Sequence, residues 1–465
     1  MAASSRIECC EVQLEMREKG KAMSAPARKQ VLILGGGFGG LYAALGLERT
    51  LARKRDLQVT LVNRENFSLF TPMLHEVAAS DLDMTHIVNP LRKLLSHGQF
   101  FHGEVERIDL ISKTVTVVHG AKRHGHELKY DYLVLALGSM TNFFGLPELE
   151  HKAMTMKSLS DAIHLRNQLI DLLEEADFEC AAGSRPNLLT IVVAGGGFAG
   201  AETVAAVNDF LRESLRFYPH LEEDMIRVLL VHSGDVILPE LGPKLGAYAQ
   251  KKLAERKVEI RVGTRVVRVF EDAVELSDGS HIPANTVIWT AGTSPNPLIA
   301  TLPCKLDRGR IVTDDYLEVL GWPGVWALGD CACITDRRTG RPYPPTAQHA
   351  LRQGKTVAKN VTAALCGGSK RPFSFSTLGL LASIGRRTGV ANILGINFSG
   401  FLAWFLWRTI YLSKLPRLEK KVRVALDWTF DLLFSKDVVH IDDLRAPTVS
   451  RVEEEPDTVV LASEE

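Results

Sequence analysis

The feature that most constrains this chain is a glycine-rich turn that occurs twice. Val31 to Gly40 reads Val-Leu-Ile-Leu-Gly-Gly-Gly-Phe-Gly-Gly, and Ile191 to Gly200 reads Ile-Val-Val-Ala-Gly-Gly-Gly-Phe-Ala-Gly. In each, four apolar residues predict a buried strand. Gly35, Gly37 and Gly40 then form one G-x-G-x-x-G turn, and Gly195, Gly197 and Gly200 form the other. A helix is expected behind the first turn over Leu41 to Leu51. The first glycine of such a turn permits the tight bend. The second lets the backbone approach a pyrophosphate, and the third lets helix pack on strand, with the helix N-terminus facing the anion. One such string is a weak signal. Two in one chain imply two dinucleotide sites, with electrons passing between them.

At 465 residues the chain is too long for one ordinary core, so two or three domains are expected. Its 46% hydrophobic and 24% charged residues are those of a globular protein. Lys+Arg and Asp+Glu are equal at 55, so nothing calls for nucleic acid as a partner. The seven cysteines are scattered, with no C-x-x-C, so neither a metal site nor a dithiol motif is expected. Cys331 and Cys333 are expected to be unpaired, which fits a reducing, cytoplasmic setting. Residues 1–28 lack an apolar signal segment and read as a mobile tail, with Met23 an alternative start. The acidic residues 441–465 read as a second tail.

Leu57 to Asn63 reads as the second strand. A Rossmann unit usually ends this strand in an acidic residue that binds ribose hydroxyls; here Asn63 stands there, followed by Arg64 and Glu65. The apolar run Asn66 to Ala79, broken by Pro72, reads as core packing, followed by helix through Leu95. Phe100 to Val118 alternates and predicts an antiparallel hairpin. Tyr132 to Ser139 predicts a buried strand ending at a glycine. Thr155 to Ala176 reads as a helix and Ala181 to Asn187 as a loop. In the second unit Arg227 to His232 is the corresponding second strand, and His232 replaces the acidic residue, which leaves NADPH open beside NADH. Val258 to Thr286 predicts strands around an Asp278-Gly279 turn. Thr286 to Gly292 echoes Tyr132 to Gly138, and there the chain is expected to return to the first sheet. Trp322 to Asp330 predicts a strand that leaves Asp330 at the ligand-binding edge of a sheet, or simply in a turn. Pro344 to Gly354 starts a helix, with Pro345 in its first turn and Gln348 near its N-terminus.

The last sixth changes character. Phe398 to Leu412 is apolar and aromatic but too short to span a bilayer, and Arg408 interrupts it. Lys414, Arg417, Lys420, Lys421 and Arg423 follow. Leu426, Phe430, Leu433 and Phe434 then recur at helical spacing. Basic residues flanking an apolar helix face predict a helix lying in an anionic membrane surface; a dimer interface or a domain core is the alternative.

In this order the motifs resemble the type II NADH:quinone oxidoreductases, the single-subunit, non-pumping NADH dehydrogenases of the two-dinucleotide-binding flavoproteins. The resemblance runs from about Lys29 to Val439. It rests on Gly35 to Gly40, on Leu69-Phe70-Thr71-Pro72-Met73-Leu74 with Glu76-Val77-Ala78, and on Gly195 to Glu202. It rests also on Ala291-Gly292, Ala327 to Ala332, Ala347-Gln348, Gln353-Gly354, Ile384 to Arg387 and Ala403-Trp404. It implies FAD on Gly35, Gly37, Phe38, Gly39 and Gly40, held also by Asn63, Arg64, Thr71, Val105, Ala136, Gly138, Asp330 and Gln348. It implies NAD(P)H on Gly195, Gly197, Phe198, Ala199 and Gly200, with Glu202, His232, Ala291 and Gly292. Glu202 matches a family carboxylate near flavin and quinone, and is the candidate for proton handling. Gln348 and Gln353 match a motif lining the quinone site, where relatives commonly carry two adjacent glutamines; this chain has Arg352 in the first of those positions.

The fold expected is α/β. It has two Rossmann-like three-layer domains, FAD-binding over 29–150 and 286–378 and NAD(P)H-binding over 151–285, and a C-terminal membrane-association module over 379–440. The implied enzyme passes a hydride from NAD(P)H to FAD and two electrons to a membrane quinone, without proton pumping. It would be peripheral on the cytoplasmic face of the membrane, held by its C-terminal segment, and a homodimer. The rivals are a sulfide:quinone oxidoreductase, for which Cys180, Cys304 and Cys366 do not have the spacing, and a non-catalytic flavin redox sensor. A disulfide reductase would need a redox cysteine pair.

Overall fold

A computed structural model describes residues 28–51, 56–178, 183 and 185–441. Nearly all of both expected tails lies outside the described residues. Two five-stranded parallel sheets organise the rest. The first has the order Val325–Ala327, Tyr132–Leu135, Lys29–Leu34, Leu57–Asn63, Gln99–His102. The second has the order Met154–Thr155, Thr286–Trp289, Thr190–Ala194, Arg227–Val231, Val258–Arg261. Parallel strands covered on both faces need continuous apolar runs, and Thr190–Ala194 is buried throughout.

The repeat goes deeper than the glycine turns. In each unit an antiparallel three-stranded meander follows the third strand. Glu104–Asp109, Thr114–His119 and His124–Lys129 form the first; Val266–Val269, Ala273–Leu276 and His281–Pro283 form the second. The first packs Val115 and Val117 into the same core as Leu41 of the helix Phe38–Leu51. Phe100 to Val118 is therefore not one hairpin: Gln99–His102 joins the parallel sheet, and the meander gains a third strand.

Thr286–Trp289 does not return to the first sheet. It pairs with Thr190–Ala194, Ile191 opposite Thr286, and all four of its residues are buried. The echo of Tyr132 to Gly138 has a simple cause: each segment is the strand that follows the meander in its own unit. The chain crosses back at Thr293–Pro295, which pairs antiparallel with Ser139–Thr141.

Smaller departures are local. The helix expected from Thr155 starts at Leu159, where Ser158 and Asp161 form a capping box. Arg185–Leu188 is a short helix rather than loop. The helix expected through Leu95 is interrupted by the strand Val88–Pro90, which pairs with Phe67–Leu69. Pro345 precedes the cap residue Thr346 of the helix Ala347–Cys366, and so lies outside its first turn.

The C-terminal module is a three-stranded antiparallel sheet, Gly379–Ser383, Gly389–Ile393 and Ile396–Gly400, followed by the helices Phe401–Lys414 and Leu418–Leu433. It does not stand apart. Ala403, Trp407, Val424 and Trp428 share one core with Met73, Leu74 and Val77 and with Val204 and Phe210. Among the described residues no helix is long and apolar enough to cross a membrane.

Candidate functional site

The two glycine turns are built as their spacing requires. Gly35 has φ +105°, and a Cβ there would lie 2.2 Å from the Ala136 carbonyl oxygen. A Cβ on Gly40 would lie 1.9 Å from the Gly35 oxygen. Gly195, with φ +113°, and Gly200 repeat this against Ala291 and the Gly195 oxygen. By contrast, a Cβ on Gly37, Gly138 or Gly197 would meet nothing within 4 Å. At Gly37 and Gly197, each at the start of a helix, this leaves room for a pyrophosphate to approach the backbone, so the loops fit two dinucleotides. Phe38 and Phe198 open the helices behind the turns, and Gly39 packs under Leu328.

Asn63 and His232 do the same job in the two units. Asn63 Oδ1 accepts from the Gly36 N–H at 2.7 Å, and its Nδ2 donates to the Glu65 carbonyl. His232 Nδ1 accepts from the Gly196 N–H at 3.1 Å. Burial lowers the His232 pKa, which suits a neutral ring accepting at Nδ1. Both side chains hold the glycine loop in shape, a use that the ribose position alone does not reveal. Arg64 is exposed, 3.5 Å from the Glu65 carboxylate. Thr71 opens a 3₁₀ turn and is exposed, and Val105 lies half-buried in the first meander.

Asp330 stands at the carboxyl edge of the first sheet, beyond Val325–Ala327. Its Oδ2 accepts from Ser139 Oγ at 2.7 Å, and Lys157 Nζ donates to that same hydroxyl at 2.8 Å. The backbone of the turn is fixed from the helix Ala347–Cys366. Gln353, buried, accepts from the Gly329 N–H at 2.9 Å. A Cβ on Gly354 would come within 2.2 Å of the Gly39 oxygen, which brings this helix against the first glycine turn. Gln353 thus supports the Asp330 turn. Gln348 donates to the Gly379 carbonyl at 3.1 Å, and Arg352 donates to the Gln348 carbonyl while its guanidinium lies 4.0 Å over the Phe375 ring. Ala291 and Gly292 follow the strand Thr286–Trp289; a Cβ on Gly292 would meet the Phe144 ring at 2.5 Å.

Glu202 lies two residues beyond the third glycine of the second turn and is buried. Its Oε1 accepts from the Ser383 N–H at 3.1 Å and from Trp407 Nε1 at 3.0 Å, both from the C-terminal module. Its Oε2 is 3.9 Å from His75 Nδ1. Burial pushes its pKa up to about 8, against the two hydrogen bonds, so the carboxyl holds a proton at neutral pH.

Several functional neighbours were not assigned a role from the sequence. His75 and Glu76 sit on the short helix Leu74–Ala78, inside a run expected to be plain core. Burial lowers the His75 pKa to about 4 and raises that of Glu76 to about 8. Glu76 Oε2 accepts from Trp428 Nε1 at 3.1 Å. Arg408 is stacked between Trp404 and Trp428, 4.3 and 4.7 Å from their ring centres. The available signal was ionisable residues interrupting apolar runs: His75-Glu76 in one, Arg408 in the other.

The comparisons agree with this architecture. The pyridine nucleotide-disulphide oxidoreductase family model matches residues 29–354, and the NDH2 C-terminal domain model matches 378–437. Type II NADH:quinone oxidoreductase Ndh of Mycobacterium tuberculosis is 31% identical over 446 residues, 92% of this chain and 94% of its own. A probable NADH dehydrogenase of Dictyostelium discoideum is 30% identical, over 91% and 93%. The solved structure of NDH2 from Plasmodium falciparum in complex with NADH superposes with TM-score 0.82 at 18% identity, covering 89% of this chain and all of that one. The sulfide:quinone oxidoreductase of Aquifex aeolicus reaches a TM-score of 0.66 over 87% and 94%. With two dinucleotide turns, the appended module and relatives matched over nearly their full length, the chain belongs to the type II NADH:quinone oxidoreductases.

Proposed function

We propose that Glu202 supplies a proton to the quinone in an NADH:quinone oxidoreductase whose acceptor approaches between the first sheet and the C-terminal module. The family's reaction runs from NADH through FAD to quinone. FAD is assigned to Gly35, Gly37, Phe38, Gly39, Gly40, Asn63, Arg64, Thr71, Val105, Ala136, Gly138, Asp330 and Gln348. NADH is assigned to the second turn with His232, Ala291 and Gly292. Bound there, FAD supplies the two-electron chemistry that links nucleotide to quinone. The protein's own part is to orient both and to deliver protons. Arg352, stacked on Phe375 beside Gln348, takes the head-group position in this reading.

The observation that carries the proposal is the environment of Glu202: a buried carboxyl with its pKa near 8, held by Ser383 and Trp407 from the module that would meet the lipid. A group poised near the working pH is suited to donate to a forming quinol and be reloaded. A sulfide enzyme needs reactive thiolates. Here Cys331 is buried and, like Cys304, pushed up to about 11 by burial.

The module's outer face is the proposed membrane contact. Phe401, Phe405, Leu426, Phe430, Leu433 and Phe434 are all about half exposed or more. The basic residues divide. Lys414 and Arg423 are exposed, whereas Lys420 is buried and donates to the Thr85 carbonyl at 2.6 Å. An apolar face with exposed cations beside it binds an anionic leaflet. The cytoplasmic face and a homodimer complete the reading; the dimer is tested by sedimentation of the detergent-solubilised protein.

The test is anaerobic. NADH mixed with the flavin-loaded protein is expected to bleach the flavin, and a soluble quinone added next to restore its colour. Bleaching without recovery would remove quinone as acceptor; no bleaching would favour the sensor.

A further inference from the structure

Between Glu202 and the protein surface lies a cavity of about 30 Å³, counted as volume open to the centre of a water molecule. That is room for about two waters. His75, Glu76, Glu202, Arg408 and Asp431 line its inner part, and Arg386 and Glu213 its outer part. Three lining side chains carry a buried nitrogen with no protein partner: His75 Nε2, Arg408 Nε and Arg386 Nε. Buried polar atoms without a protein partner, in a polar space of this size, are satisfied by water.

The cavity grades from dry to wet. The carboxylates of Glu76, Asp431 and Glu202 are 6%, 7% and 10% exposed, those of Asp81 and Glu213 17% and 26%. Arg408 Nη2 stands 3.9 Å from both Glu76 Oε1 and Asp431 Oδ2. Glu213 is bonded to Arg386 at 3.1 Å and Asp81 to Lys436 at 2.6 Å. Glu76 and Glu202 are built alike. Each is buried, each accepts one indole N–H from a different helix of the C-terminal module, and each adjoins the same cavity.

We propose that Glu76 is the proton-loading residue of this site: a second buried carboxyl that, through cavity water and His75, reloads Glu202 from the less buried end of the cavity at Glu213 and Asp81. The inference rests on the quinone reading above. The net reaction, NADH + H⁺ + quinone → NAD⁺ + quinol, takes one proton from the medium, and the Glu202 side chain is only 10% exposed. The Glu76 proton passes to a cavity water, and that water protonates His75 Nε2. His75 Nδ1–H moves to Glu202 Oε2, closing the 3.9 Å gap by a side-chain rotation. The imidazole stays neutral overall, which its burial favours, and returns to its starting tautomer by ring rotation. Glu76 then takes a proton from the outer groups. Its charged form faces Arg408, Asp81, Asp431 and His75. Glu76 touches neither cofactor nor quinone, so it acts through Glu202.

The test is Glu76→Gln in the flavin-loaded full chain. The amide keeps an oxygen for Trp428 but carries no transferable proton. NADH bleaching of the flavin is expected to be unchanged. Reoxidation by a soluble quinone is expected to fall at least about tenfold at pH 8 and above, with recovery on adding millimolar formate or azide as a diffusible proton carrier. Independently of turnover, infrared spectra of the resting protein should lose one of two buried, protonated carboxyl bands in E76Q and the other in E202Q. Unchanged reoxidation at pH 8, or a loss that formate and azide do not repair while both bands behave as expected, would overturn the relay. If E76Q loses flavin, His75→Phe gives the same decision, because it breaks the path and leaves both carboxyls. Failure of the unaltered protein to be reoxidised by any quinone would instead remove the functional reading.

Discussion

The first and second dinucleotide units invite direct comparison, because the chain builds the same backbone twice and then loads it differently. Each has a glycine turn held by a side chain from the end of the second strand, Asn63 on Gly36 in one and His232 on Gly196 in the other. Each inserts a three-stranded meander at the same point. Two residues past the third glycine they part. The first unit has Tyr42, its pKa raised by burial, with Lys355 over its ring at 5.3 Å. The second has Glu202, joined to the C-terminal module. In the proposed function the repeated part binds the nucleotides, and the proton chemistry lies where the copies differ.

Breaking the turns should give the largest and most unequal effects. Gly40→Ala puts a Cβ 1.9 Å from the Gly35 oxygen, and Gly200→Ala one 1.7 Å from the Gly195 oxygen. Neither fits without moving the helix off its strand. G40A is expected to purify without flavin and to lose about 3 kcal/mol or more of stability. G200A should keep its flavin colour but no longer bleach with NADH. Flavin content by absorbance, before and after NADH, separates them; equal flavin loss in both would mean that the two units are not independent sites.

At the divergent position, Glu202→Gln should leave NADH bleaching intact and slow quinone reoxidation about 10²-fold. The same substitution should alter the dependence of stability on pH. The folded Glu202 pKa is raised to about 8 from 4.5. Its burial is therefore tolerated fully below about pH 4.5 and opposes folding increasingly as pH rises toward 8, by at most about 1.4 kcal/mol per pH unit. E202Q removes that slope, so denaturant titrations should find it stabilised relative to the parent at pH 9 and not at pH 4. Tyr42→Phe, at the matching position, should change neither quantity.

Legibility in the sequence follows the same division. The two parallel sheets were visible because buried parallel strands leave unbroken apolar runs ahead of glycine turns. The strand Thr286–Trp289 went to the wrong sheet because an apolar run does not encode its neighbour; only its echo of Tyr132 to Gly138 did. Glu202 was identified by resemblance, but its partners Trp407, Ser383 and His75 come from chain segments far apart, and only packing brings them together. The C-terminal helix Leu418–Leu433 shows both outcomes at once. Leu426, Phe430 and Leu433 form the exposed apolar face expected for a membrane contact, while Val424 and Trp428, on its other face, are core. The domain-core alternative holds for the Val424–Trp428 face; the exposed apolar face is the one proposed to meet the membrane. Removing the whole module would strip Glu202 of Ser383 and Trp407, so point changes are the sharper tool. Phe430→Ser with Leu433→Ser should release the protein from anionic vesicles in flotation assays, with stability within about 0.5 kcal/mol per substitution. Trp428→Ala should cost about 3–5 kcal/mol.

The smallest expected effect tests whether the two loop-holding side chains are equivalent. Asn63→Ala and His232→Ala each remove one acceptor from a glycine N–H, at 2.7 and 3.1 Å respectively. A hydrogen bond of this kind contributes about 1 kcal/mol, which is roughly a fivefold change in a dissociation constant. N63A should weaken flavin retention during dilution by that factor and leave the affinity for NADH alone; H232A should do the reverse. The histidine adds a pH handle that the asparagine lacks. Its pKa is lowered by burial, so the neutral, accepting ring persists until pH falls below its ordinary value, where protonation removes the Nδ1 lone pair. Apparent NADH affinity should therefore weaken in acid in the parent protein and in N63A, and this loss should be absent from H232A. If acid weakened NADH binding equally in all three, the holding role of His232 would be wrong and the two units would differ at this position too.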